Sequence, residues 1–108
     1  ADGKSYKGDH GSGDWRDVPE GRPFFGQIQV SGGKAVDDEL PARLEALGYK
    51  PVMPEDVRVP PQYPDIPAVR RHIAGHYNII MQTDHEISQQ IARLKTDGHW
   101  DRTVIFLY

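Results

Sequence analysis

The sequence predicts an α/β protein in which two parallel strands are joined by a long helix. Three observations favour this class: a strand-like segment at residues 23–30, an apolar stripe at helical spacing from about residue 67 to 95, and a continuous apolar run at residues 103–108. A run that is apolar on both faces is typical of a strand inside a parallel sheet. The order is strand, irregular excursion with a short helix, long helix, strand, which predicts a βαβ crossover with both strands in one sheet.

The composition fits one modest globular domain or part of one. The chain has 108 residues, a net charge of -3 and no cysteine. This charge offers no electrostatic reason to bind nucleic acid or an anionic membrane, and no stretch approaches the roughly 18 apolar residues of a membrane span. Without cysteine, disulfides, thiolate metal sites and a cysteine nucleophile are excluded within these residues.

The chain is predicted to begin with a flexible leading loop over residues 1–22, followed by one incomplete α/β domain over residues 23–108. The loop is rich in glycine and aspartate and has no apolar periodicity, so Trp15 is its only strong anchor. The first strand is predicted over residues 23–30. Phe24, Ile28 and Val30 share one face of it, and the more polar set of Phe25, Gln27 and Gln29 shares the other.

A short helix and a proline-rich connection are predicted next. The helix spans about residues 37–47, with Pro41 in its first turn and Gly48 as its C-terminal cap. Residues 50–65, called here the proline-rich connection, contain five prolines. Because each proline fixes its own φ and pushes the preceding residue toward extended geometry, this connection is expected to be ordered but irregular.

The long helix is predicted to be the clearest element, with Asp65 as its cap and Pro67 in its first turn. Its apolar stripe consists of Val69, Ile73, Tyr77, Ile80, Ile87, Ile91 and Leu94. Asp84 falls in the middle of this stripe. Since an unpaired carboxylate is costly to bury, we expect Asp84 to be a buried structural carboxylate with hydrogen-bond partners at the interface between helix and sheet.

The final strand ends the sequence without the loop that usually follows a buried strand and carries functional residues. This predicts an internal segment of a larger α/β protein. The alternative from a different class is a free-standing, non-catalytic interaction module, whose strand at residues 103–108 pairs with the sheet edge of a partner. Self-association through that exposed strand is a further expectation.

Three local patterns are candidate sites. His72 and His76 lie four residues apart on the predicted helix and suit a metal, but the metalloprotease pattern requires Glu where Ile73 stands, so an ordinary polar flank is favoured. The pair His85-Glu86 is interpreted as solvated. The segment Ser31-Gly32-Gly33-Lys34 follows a strand and suits an anion, although spacing alone favours a plain turn.

Four blocks of the sequence, taken in order, resemble the sulfatase family. They are PFFGQIQV at 23–30, VPPQYPDIPAVR at 59–70, YNIIMQTDHEI at 77–87 and GHWDRTVIF at 98–106. The resemblance implies an alkaline-phosphatase-like α/β fold, hydrolysis of sulfate esters or sulfamates, a calcium ion, and a formylglycine nucleophile made from Cys or Ser in a C/S-x-P-x-R motif. It also implies a sulfated small molecule or glycan as substrate and a periplasmic or secreted parent protein.

The resemblance places the nucleophile motif upstream and further metal ligands just after Tyr108. No catalytic residue and no metal ligand is therefore assigned within this chain, which is expected to be inactive in isolation. Many relatives carry a histidine after the first block. This sequence has Ser31-Gly32-Gly33-Lys34 there instead. Lys34 is nominated as a sulfate contact because an ammonium supplies positive charge to an anionic group. The alternative within the superfamily is a phosphoester or phosphonate hydrolase.

Overall fold

The structure is a computed structural model that describes residues 15–30 and 37–108. Its two α-helices are α1, Leu40–Ala46, and α2, Pro67–Thr96, and short 3₁₀ turns occur at Trp15–Asp17, Pro54–Asp56 and Trp100–Arg102. Within the described ranges no residue forms a strand. Neither of these helices is both long enough and apolar enough to cross a membrane.

The predicted α/β fold with parallel strands, and with it the βαβ, alkaline-phosphatase-like arrangement, is wrong for the described part of the chain. The two segments predicted as strands are linked by a side-chain hydrogen bond, in which Gln27 Nε2 donates to the Tyr108 hydroxyl at 2.6 Å. The Phe24 ring of the first segment meets the edge of His99, which precedes the second segment, with centroids 5.3 Å apart. A strand requires a neighbour that completes its hydrogen-bond ladder, and two strands alone are marginal in water. The apolar pattern specifies burial but not the partner that provides it.

Helix α1 confirms the short helix predicted over residues 37–47, including its C-terminal cap. Gly48 has a φ of +88°, a conformation that glycine adopts without penalty. Its N–H donates to the Glu45 carbonyl at 2.9 Å, and the N–H of Tyr49 donates to the Leu44 carbonyl at 2.9 Å. These two bonds form a Schellman motif, which satisfies carbonyls that the helix leaves unpaired.

Helix α2 confirms the long predicted helix, with Pro67 in its first turn as expected. The predicted cap is wrong, because Ile66 occupies the N-cap position and makes no side-chain cap bond. The carboxylate of Asp65 instead accepts two hydrogen bonds from the guanidinium of Arg70. At the other end, Gly98 has a φ of +77° and repeats the Schellman motif of α1.

The small hydrophobic core forms where α1 packs on α2. Leu40 and Leu44, four residues apart on one side of α1, are fully buried against Ile79 of α2. Tyr49 and Met81 cover this cluster. The described core is therefore helix on helix, and it lies near the middle of α2.

Two polar side chains of α2 fasten the proline-rich connection to the helix. The buried amide of Asn78 accepts the N–H of Val52 at 2.7 Å and donates to the carbonyl of the same residue at 3.0 Å. About two turns earlier on the helix, Arg70 donates to the carbonyls of Pro54 and Val57 at 3.3 and 3.2 Å. These hydrogen bonds replace the backbone hydrogen bonds of regular secondary structure that the prolines prevent. The connection is ordered but irregular, as predicted.

Candidate functional site

The nominated sulfate contact, Lys34, lies outside the described residues, as does the Ser31-Gly32-Gly33 segment before it. The structure therefore leaves the anion site a prediction from sequence. The same holds for the division into a leading loop over residues 1–22 and an incomplete domain over residues 23–108.

Asp84 is exposed, so the predicted buried carboxylate is wrong for this chain. Asp84 does lie on the same side of α2 as Ile80, as predicted, since residues four apart share a side of a helix. That side of α2 is not covered, because α1 and the proline-rich connection pack on the side that carries Asn78 and Ile79. The apolar stripe thus divides into two parts, and Asp84 belongs to the part in contact with solvent.

Among the exposed large apolar side chains of the described residues, two groups lie on or after the long helix α2. The first, called here the helix patch, consists of Tyr77 and Ile80, which are 53% and 60% exposed. The second, called the tail patch, is the run at residues 104–108, where every residue is exposed and Tyr108 reaches 95%. Scattered apolar residues on a surface need no explanation, but a run of five is typical of a surface that contacts another part of a protein.

His72 and His76 face solvent as a pair on the exposed side of α2. Their ring centroids are 5.7 Å apart and the ring planes are tilted by 45°. In the described part of the chain, no group of three or more His, Asp or Glu side chains is arranged to hold a metal ion. The pair therefore offers two protein ligands to a metal ion.

His85 is not a freely solvated residue, contrary to its interpretation from sequence. Its Nδ1 lies 3.1 Å from the hydroxyl of Tyr49, and the two rings meet edge to face with centroids 5.6 Å apart. Tyr49 directly follows Gly48, the cap of α1, a position that usually packs back on its helix. That local signal identifies Tyr49 as a contact residue, but no spacing in the sequence indicates His85 as its partner.

A polar and aromatic cluster, called here the Trp15 latch, joins the start of the described chain to the end of α2. The indole N–H of Trp15 donates to the Asp97 carboxylate at 2.7 Å, and Arg16 Nε donates to the same carboxylate at 2.9 Å. The guanidinium of Arg93 lies 4.4 Å from the Trp15 ring centroid. Hydrogen bonds from Arg16, and then from Trp15, hold the pKa of Asp97 below its usual value. Trp15 is thus an anchor, as the sequence predicted.

These groups offer metal ligands, hydrogen-bonding groups and apolar contact surfaces. The histidine pair offers two nitrogen ligands, the Trp15 latch is saturated by its own contacts, and the two patches offer apolar area.

In comparisons with family models, curated proteins and solved structures, nothing matches the chain.

Proposed function

We propose that this chain is an internal segment of a sulfatase-type hydrolase, which cleaves sulfate esters or sulfamates, and that the segment alone has no hydrolase activity. The proposal starts from the four sulfatase-like blocks and their order along residues 23–106. Each block is short, but all four occur in the family order.

The structural observation that supports the proposal is the position of the uncovered apolar side chains. The helix patch falls within the block at 77–87, and most of the tail patch falls within the block at 98–106. Burying a large apolar side chain contributes about 1.5–3 kcal/mol, so leaving these groups exposed forgoes stability that packing would provide. They are accounted for if the remainder of a larger hydrolase covers them.

Within that hydrolase, the proposed role of Lys34 is to hold the sulfate group of a sulfated small molecule or glycan. Calcium and the formylglycine nucleophile belong, under this proposal, to parts of the enzyme outside these residues. The segment then contributes substrate charge recognition and a packed helix, but not the reacting atoms.

The test compares the 108-residue chain with the complete product of its gene. We expect the complete protein to carry a C/S-x-P-x-R motif before this segment and to hydrolyse an aryl sulfate, and we expect the pure segment to show no turnover. In the complete protein, Lys34→Ala should raise KM for the aryl sulfate by about ten- to a hundredfold, because the loss of a charge-assisted hydrogen bond costs about 1.5–3 kcal/mol. Lys50→Ala, at an exposed lysine, is the matched control.

Other results would overturn the proposal in distinct ways. Hydrolysis of an aryl phosphate or a phosphonate ester in place of the sulfate would indicate the alternative hydrolase. A complete protein without either activity, together with a segment that unfolds cooperatively as a monomer, would indicate an interaction module. Turnover of aryl sulfate by the segment alone would contradict its predicted inactivity.

A further inference from the structure

We propose that His72 and His76 form a two-point site for a divalent transition metal ion such as Ni²⁺, Cu²⁺ or Zn²⁺ on the exposed side of α2. This site is independent of the proposed hydrolase and of its calcium ion. Calcium prefers oxygen ligands, whereas neutral imidazole suits the later transition metals.

The geometry of the pair is close to what one metal ion requires. Residues four apart on a helix lie one above the other, so both rings extend over the same strip of surface. An imidazole nitrogen lies about 2.0–2.1 Å from a bound zinc ion, which puts two rings on the same ion with their centres about 5 Å apart. The observed separation is 5.7 Å, so a small side-chain rotation brings both nitrogens to one ion.

The backbone under the pair is held in place from both sides. Arg70 and Asn78 flank the two histidines along the helix, and both are fastened to the proline-rich connection. The helix between them is therefore not a fraying end. Because the second imidazole is already positioned when the first has bound, its binding is intramolecular and costs little further entropy.

Solvent access is also suitable. Both histidines are exposed, so water completes the coordination sphere and the ion exchanges freely. Such a site takes up and releases a metal ion rather than holding it permanently, which distinguishes it from a closed structural zinc site with four protein ligands.

The experiment measures binding of Ni²⁺ by the tag-free chain. Substoichiometric Ni²⁺ is added while the imidazole proton signals of the histidines are recorded by NMR, and retention on immobilised Ni²⁺ is measured in parallel. We expect the signals of His72 and His76 to broaden first, well before those of His85 and His99. His76→Ala should weaken binding by about tenfold or more, because the second ligand is lost.

A swap variant, His76→Tyr with Tyr77→His, is the sharpest control. It keeps the composition and the number of histidines but moves the second imidazole one position around the helix, so the rings no longer share a side. Weak binding by the swap variant supports the proposal. Equal binding by the swap variant, or simultaneous broadening of all histidine signals in the original chain, would overturn it. Neither substitution touches the core, and helix content measured by circular dichroism checks that α2 is intact.

Discussion

The amide of Asn78 makes the clearest single-residue contribution to the fold, because it satisfies both the N–H and the carbonyl of Val52 from a buried position. A buried polar group that loses its partner costs more than the hydrogen bond contributed when it was formed. An asparagine in the middle of an amphipathic helix gives no such information from sequence alone. Its partner lies 26 residues away in a segment without regular structure.

Replacing this residue tests that contribution. We expect Asn78→Ala to lower the free energy of unfolding by about 1–3 kcal/mol, since two backbone groups of Val52 lose their partner. Denaturant titration followed by circular dichroism measures the change. Ser88→Ala is the matched control, since the Ser88 hydroxyl is exposed and bonds only to the carbonyl of His85 within the same helix. Equal stability of the two variants would contradict the role assigned to Asn78.

Asp97 predicts a dependence of stability on pH. Its pKa is lower in the folded chain than in the unfolded chain, so the unfolded state binds more protons between the two values. The stabilisation by Asp97 is therefore complete above the unfolded value, which is about 3.9 for aspartate, and is lost as the pH falls through the folded value. Asp37 and Asp65 titrate in the same sense because of Arg43 and Arg70.

The substitution Asp97→Asn isolates the contribution of this carboxylate to the pH dependence of the free energy of unfolding. The variant should show a smaller difference in unfolding free energy between pH 7 and pH 3 than the original chain, since its amide does not titrate. The effect is expected to be small because Arg16 is exposed and water screens the pair. If both proteins lose the same stability on acidification, the contacts of the Trp15 latch do not depend on the charge of Asp97.

At the level of elements, the helices were predictable and the strands were not. Both helices carry their signals locally: Pro67 in a first turn, Gly48 and Gly98 after the last turn, and apolar residues at three- and four-residue steps. The segments at 23–30 and 103–108 carry only an apolar pattern. Pairing between strands depends on residues distant in the sequence, which a local pattern does not specify.

The candidate site was also predictable only in its local features, because contacts between different elements leave no local pattern in the sequence. The four-residue spacing of His72 and His76 indicated their shared side of α2, and the structure places their rings together. The same rule placed Asp84 beside Ile80, yet it did not show which side of α2 another element would cover. Contacts such as that of Tyr49 with His85 join different elements and leave no periodic trace.

The C-terminal cap of α2 gives a test of a single element. Gly98→Ala should destabilise the chain by about 1–2 kcal/mol, because a residue with a Cβ is strained at a φ of +77°. Gly26→Ala is the matched control: Gly26 has no positive φ, and an added Cβ meets nothing within 4 Å at either position. Thermal unfolding of the two variants measures the difference. A loss of equal size at Gly26 would show that the cap conformation is not the cause.

At the level of the whole molecule, the described structure has a small core and a large uncovered apolar area. The helix patch lies on a side of α2 that the core cluster of Leu40, Leu44 and Ile79 leaves uncovered, and the tail patch lies beyond the end of α2. In an isolated chain these side chains meet water or another copy of the chain. Contiguous exposed apolar residues favour the second outcome as concentration rises.

We therefore expect the isolated chain to self-associate through the tail patch. Sedimentation velocity should show an average mass that increases with concentration. The double variant Val104→Lys, Phe106→Lys should stay monomeric, since it places two like charges in the contact. Arg58→Lys, at an exposed site remote in sequence from the patch, serves as the control. A wild-type chain that stays monomeric at all concentrations would contradict this prediction.

The Trp15 latch has a consequence for optical spectroscopy. The chain contains two tryptophans, and both are stacked by cations from the last turns of α2, Arg93 over Trp15 at 4.4 Å and Lys95 over Trp100 at 4.7 Å. Tryptophan fluorescence, excited selectively, therefore reports on one end of a 30-residue helix. Fraying of that end or release of Trp15 changes the emission, whereas events around the histidine pair, near the opposite end, leave it unchanged. An unfolding curve recorded by emission and one recorded by circular dichroism will coincide only if the whole of α2 melts as one unit.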